Sequence, residues 1–426
     1  MADFDIEKKP NVNPASKSEN ASGADDSDAL RLAEMGYTQD LQRNFSILSL
    51  IGIAFCMSNS WFGISASLIT GISSGGTVLI VYGLIWIGFI STCVGASLSE
   101  LASSMPNAGG QYFWANELAP KKYARFASYF TGWFGYAGAV FACASVALSL
   151  GSAGTHASGA YVFGHFVNST GWKSDGMAFI VGLINPNWIF ACLDSATHLA
   201  EEVPQPEKNI PIAIMATVGI GFVTAWFYCI SMFFSLNDLD KLLNTATGVP
   251  ILELYYQALD NVPGAIVLET LLLVTGMGCL IACHTWQSRL CWAFARDRGM
   301  PGHKWLSQVN HTLDVPLNAH NASCFLVGVL GLLYLGSSTA FNSMVTACIT
   351  LLYISYSCPI VCLWYRGRDN IKHGPFWLGK WGAFANIVTI LWTIFCLVMY
   401  SFPSTMPVNT GSKSFLPLTN LIRLFR

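Results

Sequence analysis

Nine apolar runs alternate with short polar segments along the chain, at roughly 45–70, 77–99, 124–151, 177–198, 210–234, 263–286, 320–336, 340–364 and 380–402. A helix needs about 20 apolar residues to cross a bilayer core, so each run predicts a transmembrane helix. Two of the runs are interrupted. In the first, Ser58-Asn59-Ser60-Trp61-Phe62-Gly63 places poor helix formers midway across. In the fourth, Asn185-Pro186-Asn187 interrupts Ile180 to Glu202; Pro186 removes a backbone donor and clashes with the preceding turn. Backbone groups freed at membrane depth are tolerated only where protein or a water-filled cavity satisfies them. A pair of interrupted helices is the sequence pointer to a transporter site. In both interruptions an Asn stands shortly before a Trp: Asn59 before Trp61, and Asn187 before Trp188.

The third run carries Gly135, Gly138, Ala142, Ser145, Ser149 and Ser152, a small residue every three or four positions. On a helix this is one face that lets a neighbour approach closely. Between the second and third runs, Glu100 to Trp114 contains Pro106 and Gly109-Gly110 and reads as a helix end followed by a loop.

Composition agrees with the pattern. The chain is 53% hydrophobic and 11% charged, with mean hydropathy +0.47, whereas soluble domains carry about 25% charged residues. It is an integral membrane protein with all-α spans. All but five of its 22 basic residues (Lys173, Lys241, Lys413, Arg423 and Arg426) fall in segments on the N-terminal side of the membrane. The positive-inside rule therefore places the N-terminus in the cytoplasm. Residues 1–43 are polar, lack the apolar stretch of a signal peptide and read as a disordered tail. Residues 44–402 form the transmembrane domain, and 403–426 a short tail. Most of the 13 cysteines lie inside apolar runs, as packing residues. No Cys-x-x-Cys or Cys/His metal spacing appears, so no metal or cofactor is expected. No basic cluster points to nucleic acid. No nucleophile–base pairing or phosphate loop points to an enzyme.

The blocks ELASSMPNAGGQYFW, NPNWIFACLDSATHLAEE with PEKNIPIAIM, and ACHTWQSRLCWAFARDRGMP resemble the amino acid–polyamine–organocation (APC) superfamily. The likeness is strongest to its fungal choline permeases, through GISSGG, GWKSDGMAFIVGLINPNW, TGVPILELYYQAL, VPLNAH, YLGSSTAF and HGPFWLGKWG, from about Gly36 to Pro407. The resemblance implies a leucine-transporter-type bundle of two inverted five-helix repeats, with helices 1 and 6 broken at the site. It implies a plasma-membrane permease that imports choline or a related cation such as ethanolamine by alternating access, with proton coupling as one option and the coupling ion left open. The other readings are an amino acid or γ-aminobutyrate permease, or a truncated, non-transporting membrane protein. The family has twelve helices, and the nine runs correspond to helices 1–3 and 6–11. Helices 4 and 5 are expected to be missing between about Ala153 and Tyr161, and helix 12 after Pro407, leaving the inverted-repeat bundle incomplete.

Choline is permanently cationic, has no N–H to donate and is partly apolar. Its recognition calls for aromatic faces, worth roughly 0.5–2 kcal/mol each. Trp61, Phe62, Trp188 and Phe190 lie at or beside the two interruptions, and Gly63 begins the stretch Gly63-Ile64-Ser65-Ala66. That stretch stands where amino acid carriers of the superfamily have a Gly-Ser-Gly cradle for a carboxylate, and it lacks the second glycine. Asp194 is the candidate intramembrane anion, facing the substrate or a coupled proton, or else hydrogen-bonded to Ser195, Thr197 or a backbone amide. Glu100 and Trp286, with Asp194, are the coupling or gating candidates. His198 and His284 are expected at the interface.

Overall fold

A computed structural model describes residues 23–148, 159–164, 166–245, 247, 249–310, 312–336, 340–403 and 405–406. Its helices run in order as α1 (Gly23–Glu34), α2 (Ile47–Ser58), α3 (Ser60–Ala66), α4 (Leu68–Ser104), α5 (Gln111–Leu118) and α6 (Ala124–Leu148). Then follow α7 (Gly159–Gly164), α8 (Asp175–Gly182), α9 (Ile184–Trp188) and a 3₁₀ turn at Ser195–Glu202. The second half comprises α10 (Pro206–Phe234), α11 (Leu239–Leu243), α12 (Pro250–Leu259), α13 (Val262–Arg296), α14 (His303–Leu306), α15 (Leu317–Gly336), α16 (Ala340–Arg366) and α17 (Lys380–Met399).

Among the described residues, six stretches are long and apolar enough to cross a membrane: 47–66, 68–104, 206–234, 262–296, 343–366 and 380–399. On α13, Ile266, Val267, Leu271, Val274, Met277 and Ile281 are all exposed. They fall along one side of the helix. A continuous apolar stripe of this kind is unfavourable in water and is the surface a lipid-facing helix presents. Inside the bundle, α4 packs along α10 and α17, and α6 packs against α16, α13 and α15. The small residues of α6 permit this closeness: a Cβ on Gly138 would lie 2.9 Å from the Leu352 side chain of α16.

The first and second runs meet without a loop. α4 starts two residues after α3 ends and bends at Gly76, whose φ of 67° and ψ of −156° suit glycine alone. The junction expected to lack two helices falls largely on residues 149–158, outside the described residues, as does the chain from 407 onward.

The N-terminal segment differs from expectation after residue 22. Residues 23–34 form α1, and Leu32, Tyr37 and Leu41 are buried against the bundle. Arg31 donates to the Ser103 carbonyl at 3.1 Å and pairs with Glu207 at 3.5 Å. Tyr37 donates to Asp297 at 3.2 Å. Low average hydrophobicity conceals these few anchoring residues, whose binding surface belongs to other helices. Likewise, Gln111–Leu118, expected as loop, is helical, with Trp114 buried and donating to the Met105 carbonyl at 2.8 Å.

Candidate functional site

The first interruption falls at Asn59, which separates α2 from α3 in a backbone conformation with φ 25° and ψ 63°. Asn tolerates this region better than most residues. The turn is held from outside: Asn59 Nδ2 donates to the Thr275 carbonyl of α13 at 2.9 Å. Cys279 Sγ approaches the Met57 carbonyl at 3.5 Å.

The second interruption is displaced from where the sequence places it. Asn185-Pro186-Asn187 is helical, within α9, and regular helix ends only after Trp188. Pro186 is the third residue of α9, and α8 has already ended at its i−4 residue, Gly182, so the ring has no ongoing helix to break. The unwound stretch is residues 189–194, with Cys192 at φ 63°. The two asparagines act as buried struts. Asn185 donates to Ser67 Oγ at 2.5 Å, and Asn187 donates to Tyr400 of α17 at 3.0 Å and accepts from Tyr353 of α16 at 2.9 Å.

Between the interruptions lies a small cavity of about 20 Å³. Its walls are Met57, Ser58, Asn59, Phe62 and Gly63 from the first, and Trp188, Ile189, Ala191 and Cys192 from the second. Ala142 of α6 and Cys279 and Cys283 of α13 complete it. Among the described residues the wall contains no carboxylate, Lys, Arg or His. Asn59 Oδ1 is buried and has no hydrogen-bond partner. α2 ends and α3 begins at this cavity, so the C-terminal end of one helix dipole meets the N-terminal end of the other there.

Phe62, Gly63 and Trp188 thus line one cavity. Trp61 does not: it points toward α13, its Nε1 3.4 Å from Thr275 Oγ1 and its ring edge-on to Phe55. Phe190 is buried toward α10, near Gly221. On α3 the rotation of about 100° per residue turns Trp61 away from the side of Phe62, whereas Phe190 lies in the unwound stretch, where the local backbone sets its direction.

Asp194 sits two residues beyond the cavity wall, fully enclosed. It accepts from Tyr356 of α16 at 2.6 Å and lies 3.1 Å from His198 Nε2. His198 Nδ1 faces the Ala108 carbonyl at 2.8 Å. A carbonyl only accepts, so Nδ1 carries hydrogen. In a neutral ring Nε2 would then be bare, facing a carboxylate lone pair. The contact is attractive only if one further proton resides on the pair, on Nε2 or on the carboxyl. Trp286 packs beside this group, 6.4 Å from the His198 ring, with its indole N–H buried and unpaired.

Glu100 is buried at the opposite end of α4 from its bend. Arg368 Nη2 donates to both of its oxygens, at 3.0 and 2.8 Å, and the Leu378 amide donates at 2.8 Å. The residue thus fastens the segment between α16 and α17. Nearby, Arg296 grips Glu201 through two bonds of 2.9 and 2.8 Å, and Arg289 grips Glu202 through two of 2.9 and 3.1 Å.

Sequence reasoning missed Tyr356 and the two cavity cysteines. Cys279 and Cys283 carried a usable signal, since residues four apart share a helix face. Tyr356 carried none, because its partner is 162 residues away.

The chain matches the profile of a protein family described as Amino acid permease, over residues 45–162 and 150–424. It is 47% identical over 443 residues to a choline transporter of Saccharomyces cerevisiae, covering 88% of this chain and 78% of that protein. It is 31% identical over 501 residues to a 7-keto 8-aminopelargonic acid transporter of the same yeast, covering 88% and 89%. An amino-acid permease of Arabidopsis thaliana is 29% identical over 474 residues, covering 92% of each chain. All three alignments are longer than the 426 residues of this chain, so they contain gaps opposite segments that those proteins have and this chain lacks.

Proposed function

The chain belongs to the amino acid permease family, and from that premise we propose that it carries choline or a closely related small organic cation across the plasma membrane. It is a multi-pass membrane transporter of APC type and not an enzyme. The substrate, the direction of transport and the coupling ion are our reading.

The observation that carries the substrate reading is the cavity wall. Phe62 and Trp188 offer two aromatic rings, and Met57, Cys192, Cys279 and Cys283 offer polarizable sulfur. Each ring face is worth roughly 0.5–2 kcal/mol to a cation, depending on desolvation. The unpaired Asn59 Oδ1 supplies the acceptor that a choline hydroxyl needs. An amino acid would bring a carboxylate into a wall that has no cationic side chain among the described residues, which favours the simple cation over the zwitterion.

The buried contact of Asp194 with His198, at 3.1 Å, supports proton coupling. The pair lies directly behind the unwound segment that forms one cavity wall, and its proton balance can follow the position of that segment. Alternating access then moves the two broken helices relative to the rest of the bundle, with the basic ends and the N-terminus cytoplasmic.

The test is uptake of radiolabelled choline by the purified chain in liposomes, with and without an inward proton gradient. A second version carries the yeast relative's extra segment inserted at residues 149–158. Saturable uptake by either version, competed by ethanolamine-type cations better than by γ-aminobutyrate or other amino acids, is the expected result. Stronger competition by amino acids would overturn the substrate reading.

A further inference from the structure

α13 and α15 pack side by side, and three metal-ligating side chains meet on their facing surfaces. His284 comes from α13; His320 and Cys324, one turn apart, come from α15. Cys324 Sγ lies 3.6 Å from His284 Nδ1 and 3.5 Å from His320 Nε2. The two imidazole rings are 5.7 Å apart and inclined at 75°. The three donor atoms all fall within 4.8 Å of one another, and all three residues are half-buried.

A thiol has one proton, so as a hydrogen-bond donor Cys324 satisfies only one of two nitrogens at a time. A metal ion satisfies all three. For zinc, with Zn–S about 2.3 Å and Zn–N about 2.0–2.1 Å at tetrahedral angles, the S···N edges are roughly 3.5–3.6 Å long. Both observed edges match that length.

We propose that His284, His320 and Cys324 form a binding site for a transition-metal cation of the Zn²⁺ class, bridging α13 and α15. Imidazole and thiolate donors select zinc-like ions over Mg²⁺ or Ca²⁺, which prefer oxygen. On binding, the thiol releases its proton to solvent and its sulfur lone pair goes to the metal. Three protein ligands leave a fourth position for water. Cys283, which lines the substrate cavity, is the residue before His284. An ion here therefore ties a cavity wall to its neighbouring helix. The site is independent of the substrate reading.

The experiment is titration of the purified full chain in detergent with Co²⁺, followed by Zn²⁺. One Co²⁺ per chain is expected, with a thiolate-to-cobalt band in the near ultraviolet and visible bands of a tetrahedral ion, all abolished by one equivalent of Zn²⁺. Cys324→Ser should lose the near-ultraviolet band, and His320→Gln should lose the tetrahedral spectrum. Cys362→Ser, altering a half-buried cysteine elsewhere on α16, should keep both. Zn²⁺ should also raise the unfolding temperature of the parent, but not of Cys324→Ser. If Cys324→Ser does not fold, His284→Gln and His320→Gln carry the same comparison. A parent with no band at millimolar Co²⁺ would reduce the cluster to thiol–imidazole hydrogen bonds. A band that survives Cys324→Ser would assign the metal to other cysteines, and either result overturns the proposal.

Discussion

Gly63 and Ile189 bring the two broken helices into direct contact: a Cβ on Gly63 would lie 2.7 Å from Ile189 Cγ2. The contact fixes how closely the two unwound segments approach, and so the width of the cavity between them. Gly63→Ala should force that contact apart and lower both stability and transport, with overpacking costs of about 1–3 kcal/mol. Adding Ile189→Ala removes the obstructing methyl and should restore part of the loss. Thermal unfolding and uptake of the single and double variants check this; a double variant no better than Gly63→Ala would show that the contact is not limiting.

The adjacent tryptophans at the two interruptions should behave differently. Trp188→Ala should weaken choline binding by about 2- to 30-fold, the loss of one cation–π face. Trp61→Ala, which removes a contact with Thr275 and Phe55, should lower stability more than affinity. Equilibrium binding and unfolding temperature, measured on both variants, separate the two effects. Equal losses of affinity would place both rings at the substrate.

The Asp194–His198 pair predicts a pH signature. Asp194→Asn keeps the shape and removes the carboxylate, so uptake should fall and its pH profile should flatten. His198→Gln should flatten the profile too, since it removes the other home of the proton. Titratable groups that face Asp194 among the described residues include Tyr356 and Cys192. Tyr356→Phe deletes a hydrogen bond but no proton carrier, and should keep the pH dependence. Parent-like profiles for both Asp194→Asn and His198→Gln would leave the pair a purely structural role.

Asp297 lies beyond the end of α13, and burial pushes its carboxyl above the ordinary range, against the pull of Arg296 and the hydroxyls of Tyr112 and Tyr37. A raised folded-state pKa means that this group's stabilising contribution is complete below the unfolded value, about 3.9. It is lost as pH rises through the folded value. Asp297→Asn retains an oxygen to accept from both tyrosines but does not titrate. Its unfolding temperature should therefore gain on the parent's as pH rises from 4 to 8. A gap that shrinks over that range contradicts the assignment.

Glu100 and Arg368 form a buried pair, and Glu100→Gln leaves Arg368 without its counter-charge. Breaking such a pair costs about 3–5 kcal/mol. The unfolding temperature should fall markedly, with less loss in Glu100→Gln/Arg368→Gln. If the single variant is as stable as the parent, the segment between α16 and α17 is held by other contacts.

The spans were legible because lipid imposes one local rule: a helix must be apolar for its full length. The first interruption was legible for a similar reason, since Ser58 to Gly63 is intrinsically poor in helix propensity. The second was misplaced by a few residues. Pro186 signals a disruption, but a proline in the first turn of a short helix disrupts nothing. The unwinding at Ile189 to Asp194 follows from the contacts of neighbouring helices, which periodicity does not report.

By itself the sequence determined that this is an all-α membrane protein, where six of its nine expected spans run among the described residues, that two apolar runs are interrupted, and which superfamily the chain resembles. Each of these depends on composition within one window or one block of residues. Only the tertiary structure decided which ring of Trp61 and Trp188 lines the cavity, that Tyr356 and His198 close around Asp194, and that His284 meets Cys324 from 40 residues away. The physical reason is that a side chain's partner is set by the rotation and depth of two packed helices. Those quantities depend on every contact along both helices at once and are written in no local stretch of either.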